Sequence, residues 1–462
     1  MNLKKIIILP AAAMVMAAGL SSCNIYGKFK MPTDTALTEE YVRACDAQAD
    51  SSAFGNLKWQ QVFTDPVLVD LIYQALANNT DLRNAKLNVD MAHANLKGAK
   101  LSYLPAVTLS PNGAGASYAG NDMSWSYQIP LSVSWEVDVF GKLLNNKRLQ
   151  QASYQQTQAY QQAVRSQIIA AVANTYYALA TTRRQLQLQE STSEKWAETV
   201  QTMKDLKEAA KCTEAAIAQS QAQYASILGQ ITDTKAQLKQ LNNTMSLLLN
   251  VAPQEWVTSE PALLTVPDIM RESIPMKELA ARPDVRAAEY SLEAAYYTTA
   301  SARAAFYPSI NITANGGFTN LLGSMIVNPG DWFIQLAGQL TAPLFARGQN
   351  IARLEAAKAA QQKALNSFEY ALLSASAEVS NAMTVYEQAT AKSTYLADQV
   401  KSLERAVEIN ETLLKVGGYN TTYLEVITAQ QNLLGAQMSA LACDLTQARA
   451  LVNLYQSLGG GR

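Results

Sequence analysis

Side chains that could carry out chemistry are scarce in this sequence of 462 residues. There is one histidine, His93, and no second histidine or nearby cysteine with which it could hold a metal ion. Imidazole is the usual group for proton transfer near neutral pH and a frequent zinc ligand. No pair of nucleophile and base, and no pair of carboxylates, stands out either. We therefore expect no enzymatic activity, no cofactor and no metal site.

The amino-terminal segment has the features of a processed leader. A positively charged start and an apolar run over residues 6–18 form a secretion signal that is too short for a stable membrane span. It leads to residues 20–23, of sequence LSSC, which resembles the lipobox of bacterial lipoproteins. This resemblance implies that residues 1–22 are removed and that Cys23 carries covalent lipid, including palmitate. Asn24 replaces the aspartate that commonly retains such lipoproteins in the inner membrane, which favours the outer membrane; an ordinary signal with an incidental cysteine is the alternative.

The other thiols and the charge balance argue against further classes of function. Cys45, Cys212 and Cys443 allow at most one internal disulfide, and their spacing fits no metal motif, so we interpret them as free or incidental. Lys and Arg number 37 against 38 Asp and Glu, which leaves no basic surface for nucleic acid.

The chain is a duplication. The segment from Asp81 to Pro105 matches the segment from Asp284 to Pro308 without a gap, since 284 minus 81 and 308 minus 105 both give 203. Later matches have slightly larger offsets, which indicates small loop insertions. This period is far too long for a solenoid. We predict two halves with the same order of elements, namely helix, strand, strand, very long helix and helix.

Each half is predicted to contain one helix of unusual length. Residues 142–211 and 348–415 contain no proline, almost no glycine, and apolar residues at helical spacing. About 70 residues of α-helix extend about 105 Å, which is more than one globular core needs. This length indicates a helical tube or stalk. The other predicted helices cover residues 66–103, 214–250, 283–307 and 422–455.

Alternating apolar and polar residues lie between the short and long helices. Over residues 124–139 every odd position is apolar and every even one polar, with only Pro130 off the pattern. Shorter alternating segments begin at Ser309 and Trp332, and a weaker one covers residues 107–110. A period of two gives each strand one apolar and one polar face.

A soluble sandwich could show the same alternation, but two features favour a membrane. Trp and Tyr flank the strands as in an interfacial girdle, and about 10 residues of tilted strand span the outer membrane. Only four strands are predicted, and an open sheet edge is not tolerated in lipid. A transmembrane sheet must therefore be completed by further copies of the chain. Gly316 and Gly317 are predicted to mark a bend or bulge in the third strand.

With these features the chain resembles the TolC-like outer-membrane efflux factors, specifically the OprM/NodT-type lipoproteins of RND efflux systems. The resemblance rests on residues 279–289 (LAARPDVRAAE), 302–303, 307–308 and 458–461, although Arg462 replaces the aromatic residue often found last. It implies a mainly α fold with transmembrane β, in which a trimer builds a twelve-stranded β-barrel and a periplasmic α-helical barrel. The implied partners are two further copies of the chain, outer-membrane lipid, a periplasmic adaptor (membrane-fusion) protein and an inner-membrane RND-type pump.

The resemblance also implies a division of the chain and a function. The function is a passive outer-membrane exit duct of a tripartite efflux system, which conducts drugs or other small molecules across the periplasm and outer membrane. The implied segments are a signal peptide (1–22), a lipid-anchored segment with part of an equatorial belt (23–64), a first helical half (65–103 and 142–250), strands 1–2 (104–141), an equatorial connector (251–282), a second helical half (283–307 and 347–457), strands 3–4 (308–346) and a tail (458–462).

The resemblance places a periplasmic tip at two turns, about 209–214 and 416–422. Glu425 matches an acidic position of the family, whereas Thr428 stands where aspartate is usual, and the turn has one extra residue. Glu425 therefore either forms an acidic ring that favours cations or is a solvated helix residue. The residues predicted for the gate and for adaptor docking are Lys211, Thr213, Gly417, Gly418, Thr421, Thr422, Glu425 and Thr428.

Two other classes of function compete with the duct. A structural coiled-coil envelope lipoprotein without channel activity predicts no amphipathic strands, which conflicts with residues 124–139. An enzyme on a helical scaffold needs a catalytic constellation that the sequence lacks. A metal exporter is expected to show Met or His clusters facing the lumen, and the sequence shows none.

Overall fold

The computed structural model describes residues 26–46, 57–117, 120, 122–209, 212–259, 276–319, 331–343, 345, 347–416 and 423–460. The first part of these ranges contains α1 (Ala36–Asp46), α2 (Trp59–Val62), α3 (Pro66–Asn78), α4 (Thr80–Leu101), β1 (Ala106–Leu109), β2 (Asn112–Ala116), β3 (Ser124–Val137), α5 (Lys142–Glu208) and α6 (Glu214–Leu248). The second part contains α7 (Met276–Ala280), α8 (Pro283–Ala304), β4 (Ser309–Thr319), β5 (Asp331–Thr341), α9 (Gln349–Val416) and α10 (Tyr423–Ser457).

The predicted fold class and the repeated order of elements are confirmed, with two local differences. The first predicted helix is interrupted at Asn79, whose side-chain oxygen accepts the amides of Asp81 (2.9 Å) and Leu82 (3.2 Å) and so caps α4. The strand predicted over residues 107–110 is β1, and a further strand that was not predicted, β2, follows after Ser110 and Pro111; proline has no N–H to donate to a ladder.

The long helices begin in the same way in both halves. Helix α5 has 67 residues and α9 has 68, and neither contains proline or glycine. Shortly before each helix stands a glycine with positive φ, Gly141 (φ 70°) and Gly348 (φ 75°). Glycine adopts this conformation without the steric cost that a Cβ atom brings. A glycine with positive φ therefore precedes the long helix in both halves, as expected for a duplicated chain.

The returning helices also end alike. Helices α6 and α10 are followed by a residue in the left-handed region, Asn250 (φ 54°) and Gly459 (φ 76°). The amides of Val251 and Gly460 then each donate to a carbonyl five residues earlier, at 2.9 Å in both halves. These are the bonds that terminate a helix by satisfying its last carbonyl groups.

The described chain forms two compact units. The first comprises residues 1–39, 87–158 and 286–370 and holds all five strands; the second comprises residues 40–86, 159–285 and 371–462. Among the described residues, none of the helices combines the length and hydrophobicity needed to cross a bilayer. The division into barrel, belt, connector and tail stays a prediction.

The apolar stripes predicted from helical spacing are buried in the second unit. On α3 the buried stripe comprises Leu68, Leu71, Ile72 and Ala75. On α5 it comprises Val164, Ile168, Val172, Tyr176 and Leu179. Burial of side chains this large is the main favourable contribution to packing these helices together.

Candidate functional site

The five described strands form one antiparallel sheet that is four strands wide. Its order is β1–β3–β4–β5, and β2 pairs with β3 beyond the end of β1, so that β1 and β2 together occupy one edge. Strands β3, β4 and β5 have 14, 11 and 11 residues. Each of these lengths is sufficient for a tilted strand to span an outer membrane, which needs about 9–11 residues.

One face of this sheet is apolar across its whole width. Residues paired directly on antiparallel strands project to the same face, and Ile129 pairs with Phe318, which in turn pairs with Trp332. The large apolar side chains here are exposed, with Trp332 at 71% and Ile334 at 77%. The other exposed members are Val107, Leu109, Trp125, Leu131, Trp135, Ile312, Leu336 and Leu340. A contiguous apolar surface of this kind is typical of a membrane or interaction surface.

The opposite face is polar. Ser132 pairs with Asn315, which pairs with Gln335, and a second row joins Asn311 to Gln339. Hydroxyl and amide side chains remain hydrogen-bonded when they face water, whereas they would be costly in lipid. The two faces are therefore suited to a boundary between lipid and an aqueous interior.

The pair β3–β4 is unusually close at Gly317. A Cβ atom on Gly317 would lie 2.1 Å from the carbonyl oxygen of Ile129 and 3.0 Å from the Cα atom of Pro130. The ladder continues one to one through Gly316 and Gly317, so the bulge considered for these glycines is absent and that part of the prediction is wrong. Glycine is required instead because the backbone of the neighbouring strand approaches it so closely.

The predicted tip residues are only partly within the described chain. Thr213 caps α6, accepting the amide of Ala216 at 3.4 Å. Glu425 lies in the first turn of α10 with an exposed side chain, and the hydroxyl of Thr428 donates to a carbonyl of the same helix at 2.7 Å. The remaining predicted residues lie outside the described residues and are Lys211, Gly417, Gly418, Thr421 and Thr422.

One apolar cluster joins helices of the two halves beside the turns predicted to form the tip. Trp196 and Met203 of α5 are buried with Ile217 of α6 and Ile427 of α10, and Tyr423 packs against them. Burial, and secondarily the electrostatic effect of Cys212, raises the pKa of Tyr423. The side-chain amide of Gln431 also donates to that of Gln223 at 2.7 Å. The start of α10 is therefore held against the turn between α5 and α6.

A buried ion cluster lies where α8, α9 and α10 meet in the second unit. Arg282 is 5% exposed and lines a cleft of about 720 Å³. It donates to both carboxylate oxygens of Asp284 (3.0 and 2.6 Å), to Glu378 (2.7 Å) and to the carbonyl of Ser457 (2.5 Å). Burial acts to raise the pKa of Asp284, but the hydrogen bonds and charge of Arg282 outweigh it and lower that pKa below its usual value.

The first half has an uncharged counterpart of this contact. Asn79 stands 203 positions before Arg282, and its amide donates to the carbonyl of Leu248 at 2.9 Å, at the end of α6. Arg282 makes the corresponding contact to Ser457 at the end of α10. In the sequence, Arg282 and Asp284 were recognised only as part of a family motif. The available signal for an ion pair was that they stand on either side of Pro283, which begins α8.

No metal centre of familiar composition is present in the described part of the chain. It contains no group of three or more His, Cys, Asp and Glu side chains placed to hold a metal ion. The ring of His93 lies 5.6 Å from that of Tyr154.

Together, a membrane-suited sheet and paired long helices define an outer-membrane channel class. The chain belongs to the outer membrane efflux protein family, whose family model matches residues 71–251 and 274–460. The resemblance to TolC-like efflux factors is therefore confirmed, and the protein is an efflux channel subunit of the outer membrane that extends into the periplasm.

Three similar proteins illustrate the relationship. The cation efflux system protein CusC of Escherichia coli O6:H1 is 29% identical, over 96% of this chain and 97% of its own length. The toluene efflux pump outer membrane protein TtgC of Pseudomonas putida is 28% identical, over 87% of this chain and 85% of its own length. The open state of the Neisseria gonorrhoeae MtrE outer membrane channel superposes with a TM-score of 0.77 at 27% identity, covering 90% of this chain and 94% of that chain.

These relatives are transport proteins, which disfavours the enzyme alternative. The structural-lipoprotein alternative predicted no amphipathic strands, and the sheet contradicts it.

Proposed function

We propose that three copies of this chain form a passive exit duct that carries small molecules through the periplasm and outer membrane. The observation that supports this most directly is the sheet. Within the described residues, β5 and the β1/β2 edge are each paired on one side only. Unsatisfied backbone groups cost several kcal/mol each in lipid, on the order of their full desolvation penalty. Pairing of these edges between three copies closes a twelve-stranded barrel with its polar face inward.

The duct works with two partners and has no enzymatic activity of its own. An inner-membrane RND-type pump supplies the energy, and a periplasmic adaptor docks at the tip formed by the α5–α6 and α9–α10 turns. The named cargoes of CusC and TtgC are a cation and toluene, which differ in charge and size. We therefore assign the choice of cargo to the pump and only the passage of small molecules to this chain.

The segment that follows the proposed lipid anchor is tied to the sheet and to the start of α5. The hydroxyl of Tyr26 donates to the carbonyl of Val139, two residues beyond the end of β3. The guanidinium of Arg148 donates to the carbonyls of Tyr26 and Gly27 at 3.1 and 3.0 Å. Cys23 lies outside the described residues, but three residues of chain reach at most about 11 Å. A lipid on Cys23 would then lie close to the end of β3 that leads into α5, and this supports Cys23 as the anchored residue.

Replacement of Cys23 by alanine is expected to abolish lipid attachment. Cells grown with an alkyne analogue of palmitate should label the wild-type protein and the matched Cys212→Ser variant equally, and should not label Cys23→Ala. The readout is in-gel fluorescence after coupling to a dye. Labelling of Cys23→Ala at the wild-type level would show that the lipid, if any, is attached elsewhere.

The exit duct and its gate are tested together by single-channel recording of the purified protein in planar bilayers. We expect a heat-labile trimer that passes small, cation-preferring currents. Three convergent Glu425 carboxylates would attract cations, so Glu425→Gln should reduce the cation preference measured from reversal potentials. Glu198→Gln, which removes an exposed charge from α5 ten residues before that helix ends, is the matched control and should leave that preference unchanged.

The possible outcomes separate the two parts of this proposal. A monomer that never conducts would contradict the duct itself. A conducting trimer with the same selectivity in Glu425→Gln as in the wild type would contradict only the acidic ring.

A further inference from the structure

Basic side chains recur at matching positions of the two halves, at the junction between the helices and the sheet. Lys100, near the end of α4, matches Arg303, near the end of α8, since 303 minus 100 is 203. Arg148, near the start of α5, matches Arg353, near the start of α9, since 353 minus 148 is 205. All four lie in the first compact unit. The duplication has therefore placed basic side chains beside the sheet in both halves.

The junction presents this charge on the apolar side of the sheet. Trp135 belongs to the apolar face, and its indole N–H donates to the carbonyl of Tyr103, just after α4, at 3.0 Å. The ammonium of Lys147 lies over the ring of Tyr103, 5.5 Å from its centroid. Further exposed apolar side chains at the junction are Leu101, Leu104, Phe306, Phe345 and Ile351. Cations beside exposed aromatic and aliphatic groups are typical of the boundary between lipid tails and headgroups.

The first half shows what such an arginine binds. Arg148 donates to the carbonyls of Tyr26 and Gly27, in the segment that follows the proposed lipid anchor. Its guanidinium also lies 5.6 Å from the ring centroid of Tyr297. Arg353, its counterpart in the second half, is exposed and makes no hydrogen bond or ion pair within the described residues. The second half therefore repeats the guanidinium group but not the oxygen atoms that satisfy it in the first half.

Arg303 and Arg353 border the same seam between α8 and α9. One hydrogen bond joins the helices on each side of the two arginines. The hydroxyl of Thr299 donates to a carbonyl of α9 at 3.1 Å, and the side-chain amide of Asn350 donates to the carbonyl just after α8 at 3.2 Å. Arg303 follows Thr299 by four residues and Arg353 follows Asn350 by three, so each arginine shares a helix face with a residue of the seam. The two arginines therefore lie at the same level of one helix pair.

Within the described chain, no carboxylate neutralises this pair. Neither Arg303 nor Arg353 has an acidic partner there. Glu355 is only two positions from Arg353, but residues two apart on a helix do not face each other. Glu136, at the end of β3, is already paired with Lys142 at 2.8 Å. The seam therefore carries positive charge that is available to an anion.

A phospholipid headgroup fits both parts of this surface. Guanidinium groups bind phosphate oxygens through paired hydrogen bonds, so two arginines at one level suit a single phosphate group. The exposed apolar side chains beside them, among them Phe306 and Phe345, suit the acyl chains of the same molecule. A free phosphate ion would leave those side chains in water. The helices extend into the periplasm, so a lipid at this junction belongs to the periplasmic leaflet of the outer membrane.

We propose that Arg303 and Arg353 bind the headgroup of an anionic phospholipid of the periplasmic leaflet, one in each chain. Lys100 and Lys147 extend the same positive belt along the first half. The proposal rests on the placement of the sheet in the membrane that the proposed duct requires, but it does not depend on conduction. The bound lipid would hold the second half at the leaflet, as the anchored segment does for the first half at Arg148.

The test is native mass spectrometry of the purified, detergent-solubilised protein mixed with equal amounts of phosphatidylglycerol and phosphatidylcholine that carry identical acyl chains. We expect the wild type to retain phosphatidylglycerol in preference. The double variant Arg303→Gln and Arg353→Gln should lower this preference at least about fivefold, because each basic residue near an anionic membrane surface contributes about that factor. The matched control is Arg286→Gln with Arg405→Gln, which removes two exposed arginines from the same helices farther from the sheet. It should keep the wild-type preference.

A second measurement needs only the wild type. Its preference for phosphatidylglycerol should weaken as the concentration of ammonium acetate rises, since salt screens exposed charges. Equal retention of the two lipids by the wild type would overturn the site, and so would an equal loss of preference in the control pair. Conductance in planar bilayers is recorded separately. A conducting trimer without lipid preference would contradict only this site, whereas a lipid-selective protein that never conducts would contradict only the duct.

Discussion

Replacement of Gly317 by alanine is expected to prevent assembly of the membrane sheet, although it adds a single methyl group. That methyl carbon would lie 2.1 Å from the carbonyl oxygen of Ile129 and 2.9 Å from its carbonyl carbon, and both are backbone atoms that no side-chain rotation can move. Gly317 sits in the central pair of strands, so relief of the clash must separate β3 from β4. Overpacking costs about 1–3 kcal/mol where side chains can adjust, and we expect more here.

The neighbouring glycine provides a matched control. A Cβ atom on Gly316 would meet nothing closer than the carbonyl oxygen of Phe333 at 3.6 Å, which is an ordinary contact. Gly316→Ala should therefore accumulate as folded, heat-modifiable oligomer at the wild-type level, whereas Gly317→Ala should be reduced at least about tenfold. The measurement is semi-native gel electrophoresis of outer membranes. Equal yields of the two variants would show that the strands are farther apart at Gly317 than described.

The second large effect is expected from Arg282→Leu, which should lower the free energy of unfolding by about 2–3 kcal/mol. Hydrogen bonds to charged groups contribute about 1.5–3 kcal/mol, and the carbonyl of Ser457 loses its donor. This loss of unfolding free energy is smaller than the value of about 3–5 kcal/mol that is typical when one partner of a buried ion pair is removed. The reason is that the side chains of Asp284 and Glu378 are about half exposed (51% and 53%), so water solvates them again.

The pH dependence of this loss has a definite sign. Arg282 holds the pKa of Asp284 below its usual value of about 3.9, so the contribution of this pair is complete above that value. It decreases as the pH falls through the lowered pKa of the folded protein. The difference in stability between wild type and Arg282→Leu should therefore be constant above about pH 5 and narrow below about pH 4.

Denaturant unfolding of the solubilised protein, followed by circular dichroism at several pH values, measures both effects. Arg286→Leu is the control, because Arg286 lies in the first turn of α8, which begins directly after Arg282, and has an exposed side chain with one long contact, at 3.5 Å, to Tyr290. It should change stability by less than about 0.5 kcal/mol. A loss in Arg286→Leu as large as that in Arg282→Leu would mean that general charge, and not the cluster, is responsible.

The order and type of the elements could be predicted because they depend on local rules. Proline-free runs with helical spacing became α5 and α9, and the alternation over residues 124–139 became β3. The apolar residues at helical spacing in α5, from Val164 to Leu179, are buried, because burial on one face of a helix imposes its own period on the sequence. The division at Asn79 was missed, since an asparagine cap depends on which neighbouring amides its side chain reaches.

The candidate site could be predicted only in outline. The turns of the tip follow from the ends of the helices, and Thr213 is a capping residue that the sequence allows. The convergence of Arg282, Asp284, Glu378 and Ser457 was not predictable, because these residues are distant in the sequence and meet only when the helices pack.

By itself, the sequence determined the duplication, the helices, the amphipathic strands and the family. These properties repeat along the chain with periods set by the geometry of the backbone, so neighbouring residues are sufficient to define them. Only the tertiary structure decided the register of β3 against β4, the need for glycine at 317 and the groups that share a buried environment. These three features depend on atoms that are distant in the sequence but lie within a few ångströms of each other in the fold. Hydrophobic burial brings such atoms together, and it leaves no local sequence pattern that reveals which atoms will meet.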